Sequence, residues 1–157
     1  MKFFEWIYGL KDFYGEALFN LLKGWDDSNF AFNQDYFQFD VILGVTILIA
    51  IVFFILYYYI VNHPRFNSWW SWLIVLAWVA ISGYLYGHGV VSAYIKQGLV
   101  PPSLASEIGA SNARAFGLYE LILAALIFLI LTFAFKRWSR NCRYSPWPLL
   151  RKRRQSS

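Results

Sequence analysis

The chain has 157 residues, of which 59% are hydrophobic and only 15% charged, with eight Trp, eleven Tyr, fifteen Phe and a net charge of +5. That is too apolar for an ordinary soluble domain, and the length suits a single domain. The one cysteine, Cys142, excludes internal disulfides and multi-cysteine metal sites, and two histidines, His63 and His88, leave little material for a histidine metal centre or a catalytic dyad.

Residues 3–22 (FFEWIYGLKDFYGEALFNLL) carry apolar side chains at Phe3, Trp6, Ile7, Leu10, Phe13, Tyr14, Ala17, Leu18 and Leu21, with Glu5, Asp12, Glu16 and Lys23 on the other side. This is helical periodicity, and it predicts one amphipathic helix lying at a membrane interface or against a partner subunit. The segment lacks the basic start, uncharged core and small-residue cleavage site of a signal peptide. Gly24 to Asp40 then reads as an acidic, aromatic connector, closing a first unit over residues 1–40.

Val41 to Val61 is 21 residues without a charge, long enough at about 1.5 Å per residue to cross a hydrocarbon core of about 30 Å. Tyr57, Tyr58 and Tyr59 end it, and Pro64 restricts His63 to extended backbone, so the helix stops there. Trp69, Trp70 and Trp72 open the return helix, and rings with polar edges suit both sides of an interfacial turn. The elbow with His63 and Arg65 is therefore expected to be a tight hairpin rather than a ligand site. Trp69 to Val91 forms the second span. Pro101-Pro102 interrupts the following loop, after which Ser103 is placed to cap a short helix within a surface loop. Leu121 to Phe135 is the third span, extended back through Glu120 to about Phe116 and stopped by Lys136-Arg137. The spans define a three-helix transmembrane unit over residues 41–135.

The tail, residues 136–157, has eight basic and no acidic residues, whereas residues 1–40 hold three lysines against seven acids. The positive-inside bias then places the C-terminus in the cytoplasm and the N-terminus outside. The tail acts as a topology signal, and Arg143, Arg151, Lys152, Arg153 and Arg154 are candidates for contact with anionic lipid or an anionic ligand, including nucleotide or nucleic acid. The segments YYYIVNHPRFNSWWSWLI and RWSRNCRYSP resemble small, uncharacterised multi-pass bacterial membrane proteins. The likeness covers those two segments and implies a bacterial inner-membrane setting, with no activity and no site residues.

Ionisable residues inside a membrane are functional candidates, and Glu120 is the one well placed. At about 100° per residue, Gly117, Glu120, Ala124, Phe128 and Thr132 share one arc of the third helix. On the second, Ala80, Gly83 and Gly87 share a face on which helix backbones approach closely. Tyr84 and His88 lie one turn apart near its outer end, so Glu120, His88, Tyr84 and Arg114 are candidates for a polar constriction. The bland alternative is an Arg114–Glu120 salt bridge beside a glycine packing contact. No nucleophile–base pair, phosphate loop or zinc spacing is present, so no enzyme and no cofactor is expected. The whole reads as an all-α membrane protein, three transmembrane helices plus an amphipathic interfacial helix. It is expected to be a homo-oligomer or part of a larger complex, because three helices are too few to bury Glu120 and the glycine face within one chain. The leading expectation is a small oligomeric channel or pore, gated by a cytoplasmic signal at the tail. The alternatives are a non-conducting accessory or scaffold subunit and, more distantly, an intramembrane enzyme.

Overall fold

A computed structural model of the chain describes residues 2–33, 37–60 and 69–135. The elbow with His63, Pro64 and Arg65, and the tail with Cys142, Arg143, Arg151, Lys152, Arg153 and Arg154, lie outside those residues. Within them the fold is predominantly helical. Three short helices, α1 (Lys2–Ile7), α2 (Lys11–Tyr14) and α3 (Glu16–Lys23), precede a two-residue antiparallel ladder of β1 (Trp25–Asp26) and β2 (Ala31–Phe32). The long helices are α4 (Phe39–Ile55), extended by a π-helical turn over Leu56–Ile60, then α5 (Trp69–Lys96) and α6 (Ala110–Phe135). Among the described residues, three helices are long and apolar enough to cross a membrane, over Phe39–Tyr59, Trp70–Lys96 and Ala110–Phe135. Their outward faces expose large apolar side chains at turn-to-turn spacing, such as Leu118, Ile122, Leu126 and Ile130 on α6.

Two boundaries differ from the sequence expectation. The third membrane helix starts at Ala110, well before Phe116, and no separate helix follows the prolines, where residues 102–107 form turns. The start at Ala110 has a local cause. The Asn112 side chain reaches back one turn and accepts the Gly109 N–H at 3.0 Å, satisfying a donor that the helix itself leaves free. Ser103 caps nothing. Its N–H donates to Asp27 Oδ2 at 3.1 Å and its hydroxyl to Asp27 Oδ1, which fastens the loop to the β1–β2 hairpin.

The larger correction concerns residues 3–22, which form three short helices rather than one. Gly15 adopts φ +103°, in the left-handed region, and a Cβ there would stand 2.5 Å from Asn112 Nδ2, so the chain turns where only glycine fits. The breaks leave helix-end carbonyls without helical partners, and neighbouring side chains take them up. The Tyr119 hydroxyl donates to Ile7 O, the Tyr14 hydroxyl to Tyr8 O at 2.6 Å, and Asn112 Nδ2 to Tyr14 O at 3.0 Å. The turns also split the helical face in two. Tyr14, Ala17, Leu18, Leu21 and Leu22 are buried on the bundle, whereas Phe3, Trp6, Leu10 and Phe13 point away.

The aromatic residues divide between packing and surface in a way that spacing alone does not dictate. Tyr8, Tyr14, Phe39, Phe116 and Tyr119 form one cluster where the amino-terminal segment meets the bundle, with Tyr8 stacked on Phe39 at 4.6 Å between centroids. At the opposite end, Tyr58 and Trp72 turn inward into a second cluster with Phe54 and Phe128, while Tyr59 and Trp70 stay exposed.

Candidate functional site

The residues of interest meet where α5 and α6 approach most closely. On α6 the arc Gly117, Glu120, Ala124, Phe128 and Thr132 is buried throughout. Gly83 and Gly87 of α5 lie directly on it. A Cβ on Gly83 would stand 2.7 Å from Ala124 Cβ and 2.8 Å from Glu120 O, and one on Gly87 would stand 2.6 Å from Glu120 Cγ. Tyr84 and His88 cover Gly117 in turn, at 3.0 Å and 3.1 Å from where its Cβ would be. Small residues on both helices thus bring the backbones together around a glutamate stem. Ala80 is half-buried one turn further along α5.

Glu120 has no exposed surface. Its carboxyl group reaches across the bundle, Oε1 accepting the Tyr8 hydroxyl at 2.8 Å and Oε2 lying 2.7 Å from the Thr46 hydroxyl of α4. Thr46 Oγ1 is also 3.0 Å from Ile42 O, so it joins the carboxyl group to a backbone carbonyl one turn back in α4. Three separate parts of the chain, the α1–α2 link, α4 and α6, are therefore tied at one buried group. Tyr8 and Tyr14 themselves are buried, and burial, with Glu120 nearby, pushes both phenols well above the usual tyrosine range.

Other candidates sit apart from this group. Arg114 is exposed and donates from Nε to Ala110 O at 3.3 Å, so the Arg114–Glu120 salt bridge is not formed. Position explains it, since residues six apart on a helix point to different sides. His88 stacks on Tyr84 with centroids 5.7 Å apart, and its Nδ1 is 3.5 Å from Ser92 Oγ. The ring reaches no oxygen of Glu120, and among the described residues no three His, Cys, Asp or Glu side chains converge as metal ligands. Among the described residues the salt bridge present is Lys11–Glu16, on the surface of the amino-terminal segment. The burial of Glu120 and the glycine face is complete within one chain, so it requires no second copy.

Tyr8 and Thr46 are the members that sequence reasoning missed. Thr46 did carry a signal, being the one non-aromatic hydroxyl between Val41 and Val61. Tyr8 carried none, because the helical wheel that fitted residues 3–22 put it off the apolar face. A hollow of about 350 Å³ beside Asp26, Asn29, Ala31, Phe32 and Asn33 belongs to the β1–β2 turn, where Ser28 N–H and Asn29 Nδ2 already occupy the Asp26 carboxylate. Compared with known proteins, the chain matches no family model, no curated protein and no solved structure.

Proposed function

We propose that the chain is a non-conducting accessory or scaffold subunit of a bacterial inner-membrane assembly. The observation that supports this over a pore is the occlusion of Glu120. A charged ring that selects ions has to face water, and this carboxyl group has no exposed surface and both oxygens engaged within its own chain. The glycine contacts of Gly83 and Gly87 close the site from the α5 side. In this reading the polar network is structural: it locks the amino-terminal cap, residues 2–23, onto the bundle. Charge asymmetry supports an N-terminus outside and a basic tail in the cytoplasm, and Arg151, Lys152, Arg153 and Arg154 of that tail present an anionic partner with a docking element.

The test is reconstitution of the full chain in liposomes, with ion flux and complex size measured on the same preparation. The proposal expects flux no greater than that of empty liposomes, and recovery from native membrane in a stoichiometric complex with a second protein. A cation current that disappears in Glu120→Gln, from a homo-oligomer of fixed size, would establish the channel reading instead.

A further inference from the structure

We infer that the outward face of the amino-terminal cap, formed by Phe3, Trp6, Leu10 and Phe13, is seated in the interfacial layer of the bilayer on the side where α4 begins, with zwitterionic lipid as its partner. The inference depends on the chain spanning a bilayer and is independent of whether it conducts.

Depth is the first argument. The apolar helix Phe39–Tyr59 has 21 residues. At about 1.5 Å each that matches a hydrocarbon core of about 30 Å, which puts Phe39 at one hydrocarbon boundary. The Tyr8 ring lies 4.6 Å from the Phe39 ring, and its hydroxyl reaches Glu120, whose other oxygen meets Thr46 two turns inside α4. The α1–α2 link therefore rests at the hydrocarbon boundary, not out in water. Trp6 and Leu10 are each two residues from Tyr8, so they are held at nearly the same depth.

Exposure is the second. Trp6 is 80% exposed, Leu10 66%, Phe3 63% and Phe13 51%, while Tyr8 and Tyr14 of the same segment are buried. Side chains of this size gain from leaving water, and an indole with one polar edge is favoured at the headgroup level. The carbonyl bonds from Tyr119, Tyr14 and Asn112 hold the cap in this orientation, so the face is presented before lipid meets it. Charge is the third. Residues 2–16 hold Lys2 and Lys11 against Glu5, Asp12 and Glu16, with Lys11 and Glu16 paired, so anionic lipid would gain nothing there.

The experiment uses the full chain with Cys142→Ser, reconstituted in phosphatidylcholine vesicles. Trp6→Cys and Leu10→Cys are each labelled with an environment-sensitive fluorophore, and Ser106→Cys in the exposed loop serves as the aqueous reference. Trp6 and Leu10 labels are expected to emit to the blue of the Ser106 label. They should be quenched by lipids bearing a nitroxide near the headgroup and protected from iodide. Phe13→Cys repeats the measurement from α2 if a label on the α1 side disturbs folding. Iodide quenching equal to that at Ser106 would place the face in water and overturn the inference. Protection from both quenchers would overturn it too, by placing protein, a second copy or a partner, on the face. Neither outcome bears on ion flux, so the inference can fail while the scaffold reading stands.

Discussion

Removing one oxygen atom should loosen the whole cap. Tyr8→Phe keeps the ring stacked 4.6 Å from Phe39 and deletes the hydroxyl that bonds Glu120 Oε1 at 2.8 Å. Hydrogen bonds between membrane helices average only about 0.6 kcal/mol, because the separated helices find other partners. Here the separated state is different. A released Tyr8 is hydrated at the interface, but Glu120 stays in the bundle under Gly87, and the variant leaves its Oε1 without a donor even in the closed state. An unsatisfied buried acceptor costs about 1–3 kcal/mol, so a loss of about 1–2 kcal/mol is expected, which multiplies the open population of the cap about tenfold. Amide hydrogen exchange across residues 8–15 in liposomes reads that change directly. Glu120→Gln is the companion, since its carbonyl can accept from Tyr8 and its amide can donate to Thr46 Oγ1, with Thr46 passing its own proton to Ile42 O. It should exchange nearly as slowly as the parent. Unchanged exchange in Tyr8→Phe would refute the latch, and a Gln variant looser than the Phe variant would mean that the network depends on charge.

The close helix approach makes Gly87→Leu a severe change. Its Cβ alone would stand 2.6 Å from Glu120 Cγ, and overpacking of this kind costs about 1–3 kcal/mol or more, which thermal unfolding in detergent should register as a lowered midpoint. Thr132→Val should do the reverse, because the Thr132 hydroxyl is buried and meets no hydrogen-bond partner among the described residues; the midpoint is expected to rise by the equivalent of about 1 kcal/mol. The Asp27 carboxyl is held below the usual aspartate range by the Ser103 hydroxyl and N–H. That tether is in place at neutral pH and is lost as pH falls through the depressed value, so hydrogen exchange in residues 99–107 should quicken in acid, and Ser103→Ala should quicken it already at pH 7. Topology is checked in intact cells carrying Cys142→Ser: Ala105→Cys should label from outside and Ser156→Cys should not, and the reverse would overturn the charge argument.

The parts of the fold that were legible in the sequence are those where a single element decides its own state. A 21-residue apolar run has to be helical in a membrane because its backbone polar groups have no other partners. The inward arc of α6 was legible too, since a carboxylate and two small residues on one face cannot all be turned to lipid. What was not legible depended on contacts between distant segments. The wheel through residues 3–22 assumed one axis, but the helix already ends at Ile7 before restarting at Lys11, and Gly15 turns the chain again where Asn112 lies across from it. Once the axis is broken, Tyr8 points inward and Trp6 outward, although a single helix would give the opposite assignment. The same limit explains the Glu120 partners. Arg114 was the nearest opposite charge in sequence, but the groups that reach the carboxyl come from 74 and 112 residues away.

The choice of partners bears on why a glutamate can lie there at all. A salt bridge would have required a second buried charge, whose desolvation offsets most of the attraction. Two hydroxyls satisfy the carboxyl group without adding charge, and each comes from an element the protein needs to join: Thr46 from α4 and Tyr8 from the cap. The glycines then serve the carboxyl group as much as the helix pair. With any larger residue at position 87, the Glu120 stem would be displaced from the gap in which both oxygens find hydroxyl partners. Helix approach, carboxyl placement and cap docking are thus one geometric condition. A substitution that spares packing but removes a hydroxyl should release the cap, and one that adds a side chain at Gly87 should release the cap and the helix pair together.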